Sequence, residues 1–445
     1  MKRIMHKTSW KCPCGTIVGW KDNNNGVIRA TGIKYASSKR YSVPVAEPLS
    51  DGIIDATNWS PASPQPKDTY TGQFLNELTR EMELDEHCQY LSVSAPLNAK
   101  PSDNLPVMVW IHGGSYVTGA GDHPMYNPAA LVREQQVIVI TVTYRLGLFG
   151  YLGSEEGTPA NLGLLDQIEA LRWIKQNISY FGGNPENITI FGESAGGDAV
   201  AHLMISEGTE GLFHRAIIQS APFGLLPKRE NMTNAMLEEA KRTSFNGSME
   251  DIATAQSLIQ KKAKRFGLKS SMPFGVQYGH FPLPKEENTE EAWQNVASRV
   301  EIIVGCNNNE VAPFIPLIPA LKKITSAPVL GKVISWAMVK LLTWKIYRSG
   351  AKKFAKRHAI GGGRGYKYTI TWGAAGNKFS GGHATEIPLL FEDKALWEHA
   401  PLLEGTSWEE YQRQGQALRN IWGEFARTGH VHDTNVPGLI KLENI

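Results

Sequence analysis

Short runs of apolar, β-branched residues alternate along this chain with longer segments of helical periodicity. Residues 137–144 (VIVITVTY) are too rich in β-branched side chains for a helix, whereas residues 164–178 repeat their apolar positions at helical spacing. Strands that are apolar on both faces belong inside a sheet that is covered on both sides. The sequence therefore predicts an α/β fold with a mostly parallel central sheet and helices on both faces.

The same patterns predict further elements. A hairpin is expected around Asn24-Asn25-Gly26. Strands are predicted at residues 107–111, 187–191, 216–219, 300–304 and 366–371, and helices at 195–205 and 408–428. Residues 60–84 and 312–365 break the alternation and are expected to be insertions above the sheet. We expect one domain over residues 1–445, with a divergent cap-like insertion at about 312–365.

Composition narrows the class of protein. The chain has 46 Lys and Arg against 43 Asp and Glu, a balance that argues against a nucleic-acid-binding protein. The basic N-terminus leads into no apolar segment, so we expect no signal peptide, no transmembrane segment and a cytoplasmic protein. The pair Cys12 and Cys14 is too closely spaced for an ordinary zinc site and is interpreted as two exposed thiols. No metal is expected.

The strongest chemical motif is G-x-S-x-G at residues 192–196 (GESAG). It lies between a predicted strand and a predicted helix, so the chain must turn sharply at Ser194, and the flanking glycines allow a close approach. Such a turn raises the serine Oγ above the sheet edge, and the helix N-terminus behind it offers N–H groups to an oxyanion. A glycine-rich structural turn is the alternative. We interpret Ser194 as a nucleophile.

These residues resemble the type-B carboxylesterase/cholinesterase family, whose members have the α/β-hydrolase fold. The resembling segments are residues 32–36 (GIKYA), 86–93 (EHCQYLSV), 144–147 (YRLG), 161–167 (NLGLLDQ), 181–185 (FGGNP), 192–197 (GESAGG), 213–220 (FHRAIIQS) and 422–429 (WGEFARTG). The resemblance covers most of the chain and is weakest at residues 312–365.

The resemblance implies an oxyanion hole. Residues 112–116 (HGGSY) follow a predicted strand and resemble the family's H-G-G-G-F motif. The implied donors are the backbone N–H groups of Gly114, Ser115 and Ala195. Because Ser115 replaces a glycine, its backbone is expected to be strained if that position requires a positive φ.

The resemblance also implies a base and an acid. Residues 381–388 (GGHATEIP) resemble the segment that carries the family's catalytic histidine, which implies His383 as the base, with Ala384 in place of a glycine. Residues 305–310 (GCNNNE) resemble the loop that carries the acid, which implies Glu310. The order serine, acid, histidine is that of this fold. A solvated loop carboxylate is the alternative for Glu310.

Two further residues, Glu193 and Ser220, resemble positions that form a buried polar network behind the triad in this family. The expected reaction is cleavage of a small-molecule carboxylic ester through an acyl-enzyme, with no cofactor. Two alternatives stay open, namely the same machinery acting on an amide, carbamate or lactone bond, and a non-catalytic binding module of the family. The oligomeric state is not predicted.

The segment between the implied acid and base is strongly basic, since residues 311–385 contain no Asp or Glu. Apolar residues at helical spacing alternate there with basic ones, namely Lys322, Lys323, Lys332, Lys340, Lys345, Arg348, Lys352, Lys353, Lys356 and Arg357. A basic amphipathic helix can contact an anionic membrane surface. It can also be a cap helix with its apolar face on the protein and its lysines in water, and we favour this second interpretation.

Overall fold

The structure, a computed structural model, describes residues 6–66, 82–154, 157–242, 247–317 and 330–445. The strands in these ranges are β1 (Lys7–Cys12), β2 (Gly15–Asp22), β3 (Val27–Lys34), β4 (Ala36–Ser37), β5 (Val45–Ala46), β6 (Ile53–Asp55), β7 (Tyr90–Pro96), β8 (Leu105–Ile111), β9 (Ile138–Thr143), β10 (Gly183–Glu193), β11 (Arg215–Gln219), β12 (Glu301–Asn307), β13 (Gly365–Ile370), β14 (Asn435–Val436) and β15 (Ile440–Asn444).

The α-helices of the described residues lie between and after these strands. They are α1 (Ala129–Gln135), α2 (Gly147–Gly150), α3 (Leu162–Asn177), α4 (Ala195–Leu203), α5 (Glu230–Ala240), α6 (Met249–Ala263), α7 (Thr289–Ala297), α8 (Leu330–Thr343), α9 (Ser349–Ile360), α10 (Glu386–Leu390), α11 (Lys394–Trp397) and α12 (Trp408–Thr428).

The main sheet is mixed, with a parallel centre. Its strand order is β1-β2-β3-β7-β9-β8-β10-β11-β12-β13-β15-β14, with β6 paired to β2. The six strands from β9 to β13 in this order run parallel, and the strands at both ends of the order pair antiparallel. The short strand β6 pairs with β2 in parallel. The predicted α/β class, with its parallel centre, is confirmed.

Alternate residues of the central strands pack into two separate hydrophobic layers. In β9, Ile138 and Ile140 belong to one cluster with residues of α3, while Val139 belongs to the other with residues of α12. All six residues of β9 are buried, because helices cover both faces of the sheet. The uninterrupted apolar run in the sequence therefore reflects burial on both sides.

The strand register brings the site-bearing loops together. Gly192 of β10 lies opposite Ile111 of β8, Glu193 opposite Gln219 of β11, and Gln219 opposite Gly305 of β12. Because parallel strands end at the same edge of a sheet, the loops that follow these four strands meet there.

Several local predictions can be compared with the structure. The hairpin around Asn24-Asn25-Gly26 joins β2 and β3 in antiparallel pairing and is confirmed. The interpretation of Cys12 and Cys14 as exposed thiols is wrong, because both side chains are free thiols buried in the core. No helix among the described residues is long and apolar enough to cross a membrane.

The basic segment forms a helix over residues 330–360, in which a π-helical turn at Trp344–Arg348 joins α8 to α9. One side packs on the protein through buried residues that include Val339, Ile346 and Phe354. The favoured interpretation, a cap helix with its apolar face on the protein, is confirmed for these residues only, because other apolar side chains of this segment are exposed. Lys322 and Lys323 lie outside the described residues.

Candidate active site

Ser194 occupies a strained turn between β10 and α4. Its backbone has φ 58° and ψ −123°, a conformation that non-glycine residues rarely adopt. A Cβ on Gly192 would lie 2.6 Å from the carbonyl oxygen of Ile111, and one on Gly196 would clash with the same oxygen. The glycines therefore let the turn and the start of α4 lie against β8, as the motif predicts. Ser194 is half-buried.

The loop after β8 passes directly beside this turn. A Cβ on Gly113 would lie 2.6 Å from the carbonyl oxygen of Glu193 and 3.2 Å from Ser194 Cβ. Gly114 has φ 106° and Ser115 has φ 57°, so the serine that replaces the family's glycine does adopt the left-handed region. Tyr116 has φ 58° as well, which the resemblance to the family's motif did not suggest.

Tyr116 links this loop to the helix that follows Ser194. Its buried hydroxyl donates a 2.7 Å hydrogen bond to Asp198 Oδ2, and the Asp198 N–H donates to the carbonyl oxygen of Ser194 at 2.9 Å. The other oxygen of Asp198 lies 3.3 Å from His202. A buried carboxylate thus fixes the spacing between the loop at residues 113–116 and the start of α4.

His383 and Glu310 form a short, buried contact. His383 Nδ1 lies 2.5 Å from Glu310 Oε2, and the His383 N–H donates to the Glu310 carbonyl oxygen at 3.1 Å. Glu310 is fully buried, and its Oε1 accepts from the Ser220 hydroxyl at 2.6 Å and from the Asn307 N–H at 2.5 Å. The alternative of a solvated loop carboxylate at Glu310 is therefore wrong.

Glu386 is a buried carboxylate of this cluster that sequence reasoning did not single out. Its Oε2 accepts from Asn307 Nδ2 at 2.5 Å, and its Oε1 lies 3.0 Å from the Ser220 hydroxyl. Burial raises the pKa of Glu386, and the charge of Glu310 adds to this. The only indication in the sequence is its place three residues after His383, in the segment that resembles the family's histidine motif.

Glu193 faces the second nitrogen of the same imidazole. Its Oε1 lies 3.0 Å from His383 Nε2, in a contact not aligned as a hydrogen bond. Within the described residues, Ser194 Oγ makes no hydrogen bond to His383. Glu193 therefore contacts His383 itself, at Nε2, and does not lie behind the His383–Glu310 pair as expected. Ser220 does lie behind this pair, because its hydroxyl contacts Glu310.

The imidazole and Glu193 perturb each other's protonation. Burial lowers the pKa of His383, but the neighbouring Glu193 and Glu310 carboxylates outweigh it and raise this pKa to about 9. Burial raises the pKa of Glu193 to about 8, against the opposing charge of His383. The cluster thus favours a positive charge on the imidazole.

Other buried carboxylates and histidines of the chain have partners of their own. Asp166 accepts three hydrogen bonds from Arg145, in a fully buried ion pair. His112 Nδ1 lies 2.8 Å from the Gly113 carbonyl oxygen, and burial lowers the His112 pKa to about 4. Among the described contacts of Asp166 and Asp198, none reaches His383.

Two aromatic rings enclose His383. The centroids of the Phe314 and Tyr347 rings each lie 5.3 Å from the centroid of the imidazole. Tyr347 belongs to the π-helical turn between α8 and α9. The basic helical segment therefore forms one wall of the site.

Comparison with known proteins identifies the family of this chain. The model of the carboxylesterase family matches residues 6–328. A probable N-octanoylanthranilate hydrolase of Rhodococcus erythropolis is 32% identical over 425 residues, which cover 94% of this chain and 93% of that protein. The para-nitrobenzyl esterase of Bacillus subtilis is 31% identical, over 91% of this chain and 87% of its own.

Solved structures agree with the sequence relatives. A thermophilic para-nitrobenzyl esterase superimposes with a TM-score of 0.76 at 27% identity, covering 98% of this chain and 97% of its own. A Geobacillus stearothermophilus carboxylesterase superimposes with a TM-score of 0.74 at 26% identity, covering 98% of both chains. The chain belongs to the carboxylesterase family, has the α/β-hydrolase fold and is a carboxylic ester hydrolase.

Proposed function

We propose that the chain hydrolyses carboxylic esters through an acyl-enzyme, with Ser194 as nucleophile, His383 as base and Glu310 as the orienting acid. The observation that carries this proposal is the placement of the Ser194 turn beside the buried His383–Glu310 pair, whose two side chains approach to 2.5 Å. Glu310 holds the Nδ1 side of the ring, so Nε2 is the nitrogen that accepts the serine proton.

In the first step Ser194 Oγ bonds to the acyl carbon while its proton passes to His383 Nε2. The carbonyl oxygen becomes an oxyanion, which the backbone N–H groups of Gly114, Ser115 and Ala195 stabilise. The imidazolium then donates its proton to the departing alcohol as the C–O bond breaks. Water repeats the sequence: it adds to the acyl carbon, gives a proton to His383, and Ser194 leaves with that proton.

Glu193 contributes to the charged intermediate. Its carboxylate lies 3.0 Å from Nε2 and raises the pKa of His383, so it stabilises the imidazolium that forms when Ser194 is deprotonated. The Nε2–Oγ contact needed for proton transfer tightens on substrate binding, as catalytic hydrogen bonds commonly do.

An amide substrate is the second candidate. It is favoured by the similarity to the Rhodococcus protein, which is named for hydrolysis of an N-acyl anthranilate and matches this chain over nearly its whole length. The same machinery serves both bonds, because the imidazolium protonates a departing amine as it does an alcohol.

Rapid-mixing kinetics test the acyl-enzyme, and a comparison of substrates tests the choice between ester and amide. A p-nitrophenyl ester should release a burst of p-nitrophenol that matches the enzyme concentration, followed by a slower steady rate, because p-nitrophenol is a good leaving group and hydrolysis of the acyl-enzyme is then the slower step. Comparing p-nitrophenyl esters with p-nitroanilides of the same acyl chain separates the candidates. A higher kcat/KM for the anilides would make the amide the preferred substrate of the same machinery.

A further inference from the structure

We propose that the exposed face of the helical segment at residues 330–356 docks this enzyme on an anionic lipid bilayer. The face, called here the docking face, consists of Val333, Trp336, Leu341 and Trp344 together with the flanking Lys332, Lys345, Lys352 and Lys356. This proposal concerns binding and does not depend on which residues perform catalysis.

Four large apolar side chains of this face are turned to solvent. The exposed fractions are 60% for Val333, 65% for Trp336, 62% for Leu341 and 57% for Trp344. At 3.6 residues per turn the four side chains fall within an arc of about 140°, which places them on one side of a helix. Scattered single apolar residues are ordinary on a protein surface, but a group that includes two tryptophans indicates a surface that binds something.

The helix presents this face firmly, because its other side is anchored. Val339, Ile346, Tyr347 and Phe354 are buried against the protein. Lys340 Nζ donates to Asn309 Oδ1 at 2.8 Å, next to Glu310 in the chain. A preorganised face loses little conformational entropy on docking.

The positive charge of the segment indicates which kind of partner the docking face binds. Residues 311–385 contain no acidic residue, and Lys332, Lys345, Lys352 and Lys356 of the same helical segment are exposed. A second copy of the chain is disfavoured, because a symmetric dimer through this face would set the same lysines against one another. An anionic bilayer provides opposite charge for the lysines and an apolar interior for the side chains, and tryptophan prefers its interface.

Docking on this face would bring the helix beside the active site into contact with the lipid. Tyr347, in the turn between α8 and α9, lies with its ring centroid 5.3 Å from that of His383. The helix that contacts the bilayer would therefore also form a wall of the site. Amphiphilic esters dissolved in the membrane are the substrates that such an arrangement would serve.

Vesicle cosedimentation of the full chain tests the proposal. Phosphatidylcholine vesicles with and without phosphatidylglycerol are compared at low and high salt. We expect binding to the anionic vesicles, a blue shift of tryptophan emission, and weakening by salt because exposed charge is screened within roughly 10 Å at 0.1 M. Equal binding to neutral vesicles, or none to anionic ones, would overturn the proposal.

Paired variants locate the binding surface. Trp336→Ser with Trp344→Ser should weaken binding roughly tenfold or more, because two aromatic side chains no longer enter the lipid. Phe281→Ser, at an exposed aromatic residue outside the docking face, is the control. Lys345→Glu with Lys352→Glu should also weaken binding, whereas Lys261→Glu with Lys264→Glu makes the same change of net charge on another surface.

Two readouts keep these variants interpretable. The midpoint of denaturant unfolding should stay close to that of wild type in all of them, which shows that they are folded. Light scattering reports the mass of the protein in solution. If the control variants lose binding as much as the docking-face variants do, or if the tryptophan variants convert a dimer to a monomer, the face is not a membrane surface and the proposal is wrong.

Discussion

Glu193 Oε1 lies 3.0 Å from His383 Nε2, while Glu310 Oε2 lies 2.5 Å from Nδ1 of the same ring. The imidazole is therefore held between two buried carboxylates. Glu193 directly precedes Ser194 in the chain, so the turn that presents Ser194 also sets this second carboxylate beside His383. The protonation of His383 consequently depends on the residue before Ser194.

Replacing Glu193 should change the pH dependence of catalysis. The kcat/KM of the free enzyme should rise with pH as the imidazolium of His383 loses its proton, and the raised pKa of His383, about 9, places this rise above the ordinary histidine range. Glu193→Gln removes a negative charge beside the ring, which lowers that pKa. The rise in kcat/KM should therefore move to lower pH.

Full pH profiles of kcat/KM for wild type and Glu193→Gln measure this shift. Glu207→Gln, at an exposed carboxylate, is the control and should leave the profile in place. A rise that stays at the same pH in Glu193→Gln, or moves to higher pH, would show that Glu193 does not act on His383.

Replacing Glu310 tests its assignment as the orienting acid. Glu310→Gln should lower kcat by roughly 10³–10⁴-fold, as loss of the orienting carboxylate does in other triads. Asp166→Asn should instead lower the free energy of unfolding by about 3–5 kcal/mol, because it leaves the buried Arg145 without its charged partner. Its kcat per folded molecule should stay close to wild type. The reverse outcome, with Asp166 decisive for kcat, would show that the acid is misassigned.

Removing the Tyr116 hydroxyl should loosen the loop at residues 113–116, which carries two of the proposed oxyanion-hole donors. Tyr116→Phe breaks the 2.7 Å bond to Asp198, and a small displacement of backbone donors is expected to lower kcat about tenfold to a hundredfold with little change in KM. Affinity for a trifluoromethyl ketone transition-state analogue should fall in parallel. Asp198→Asn keeps an acceptor and should retain most activity. If only the melting temperature changes, the bond is structural and does not position the loop.

Two residues that replace the family's glycines should tolerate a return to glycine. Ser115 and Ala384 have φ of 57° and 65°, which cost an L-residue about 1–2 kcal/mol. Ala384→Gly and Ser115→Gly should each raise the free energy of unfolding by up to about 1 kcal/mol after the flexibility of glycine in the unfolded chain is subtracted. Ala253→Gly, on the exposed side of α6, should lower it by about the same amount. Denaturant unfolding measures the free energy of unfolding of all three variants. A lower value for both Ala384→Gly and Ser115→Gly would show that the backbone is not strained at these positions.

Local sequence patterns predicted the centre of the fold well because burial there is complete. The helix predicted at residues 408–428 has those bounds, and residues 137–144 contain β9. The antiparallel ends of the sheet were less predictable. β15, for example, has only two buried residues and follows a polar stretch, so neither its length nor its hydrophobicity distinguishes it from a loop. The single domain over residues 1–445 stays a prediction.

The candidate site was predictable to the extent that its residues lie in recognisable motifs. Motif position indicated His383 and Glu310, but it could not show that Asn307 and Glu386 complete the buried network, because those contacts depend on how two loops pack. Helical periodicity likewise revealed apolar residues in the basic segment without showing which were covered. Ile346 is buried and Trp336 is exposed, although both fit the same repeat.

Labelling with a fluorophosphonate probe tests the central assignment most directly, because the probe bonds covalently to an activated serine. Wild type and Ser194→Ala are treated in parallel, and intact-mass and peptide measurements locate the label. We predict a single label on the peptide that contains Ser194 of wild type, with complete loss of ester hydrolysis, and no label on a Ser194→Ala protein that unfolds at the same denaturant concentration. A folded Ser194→Ala protein that is still labelled and hydrolyses esters at the wild-type rate would contradict the assignment.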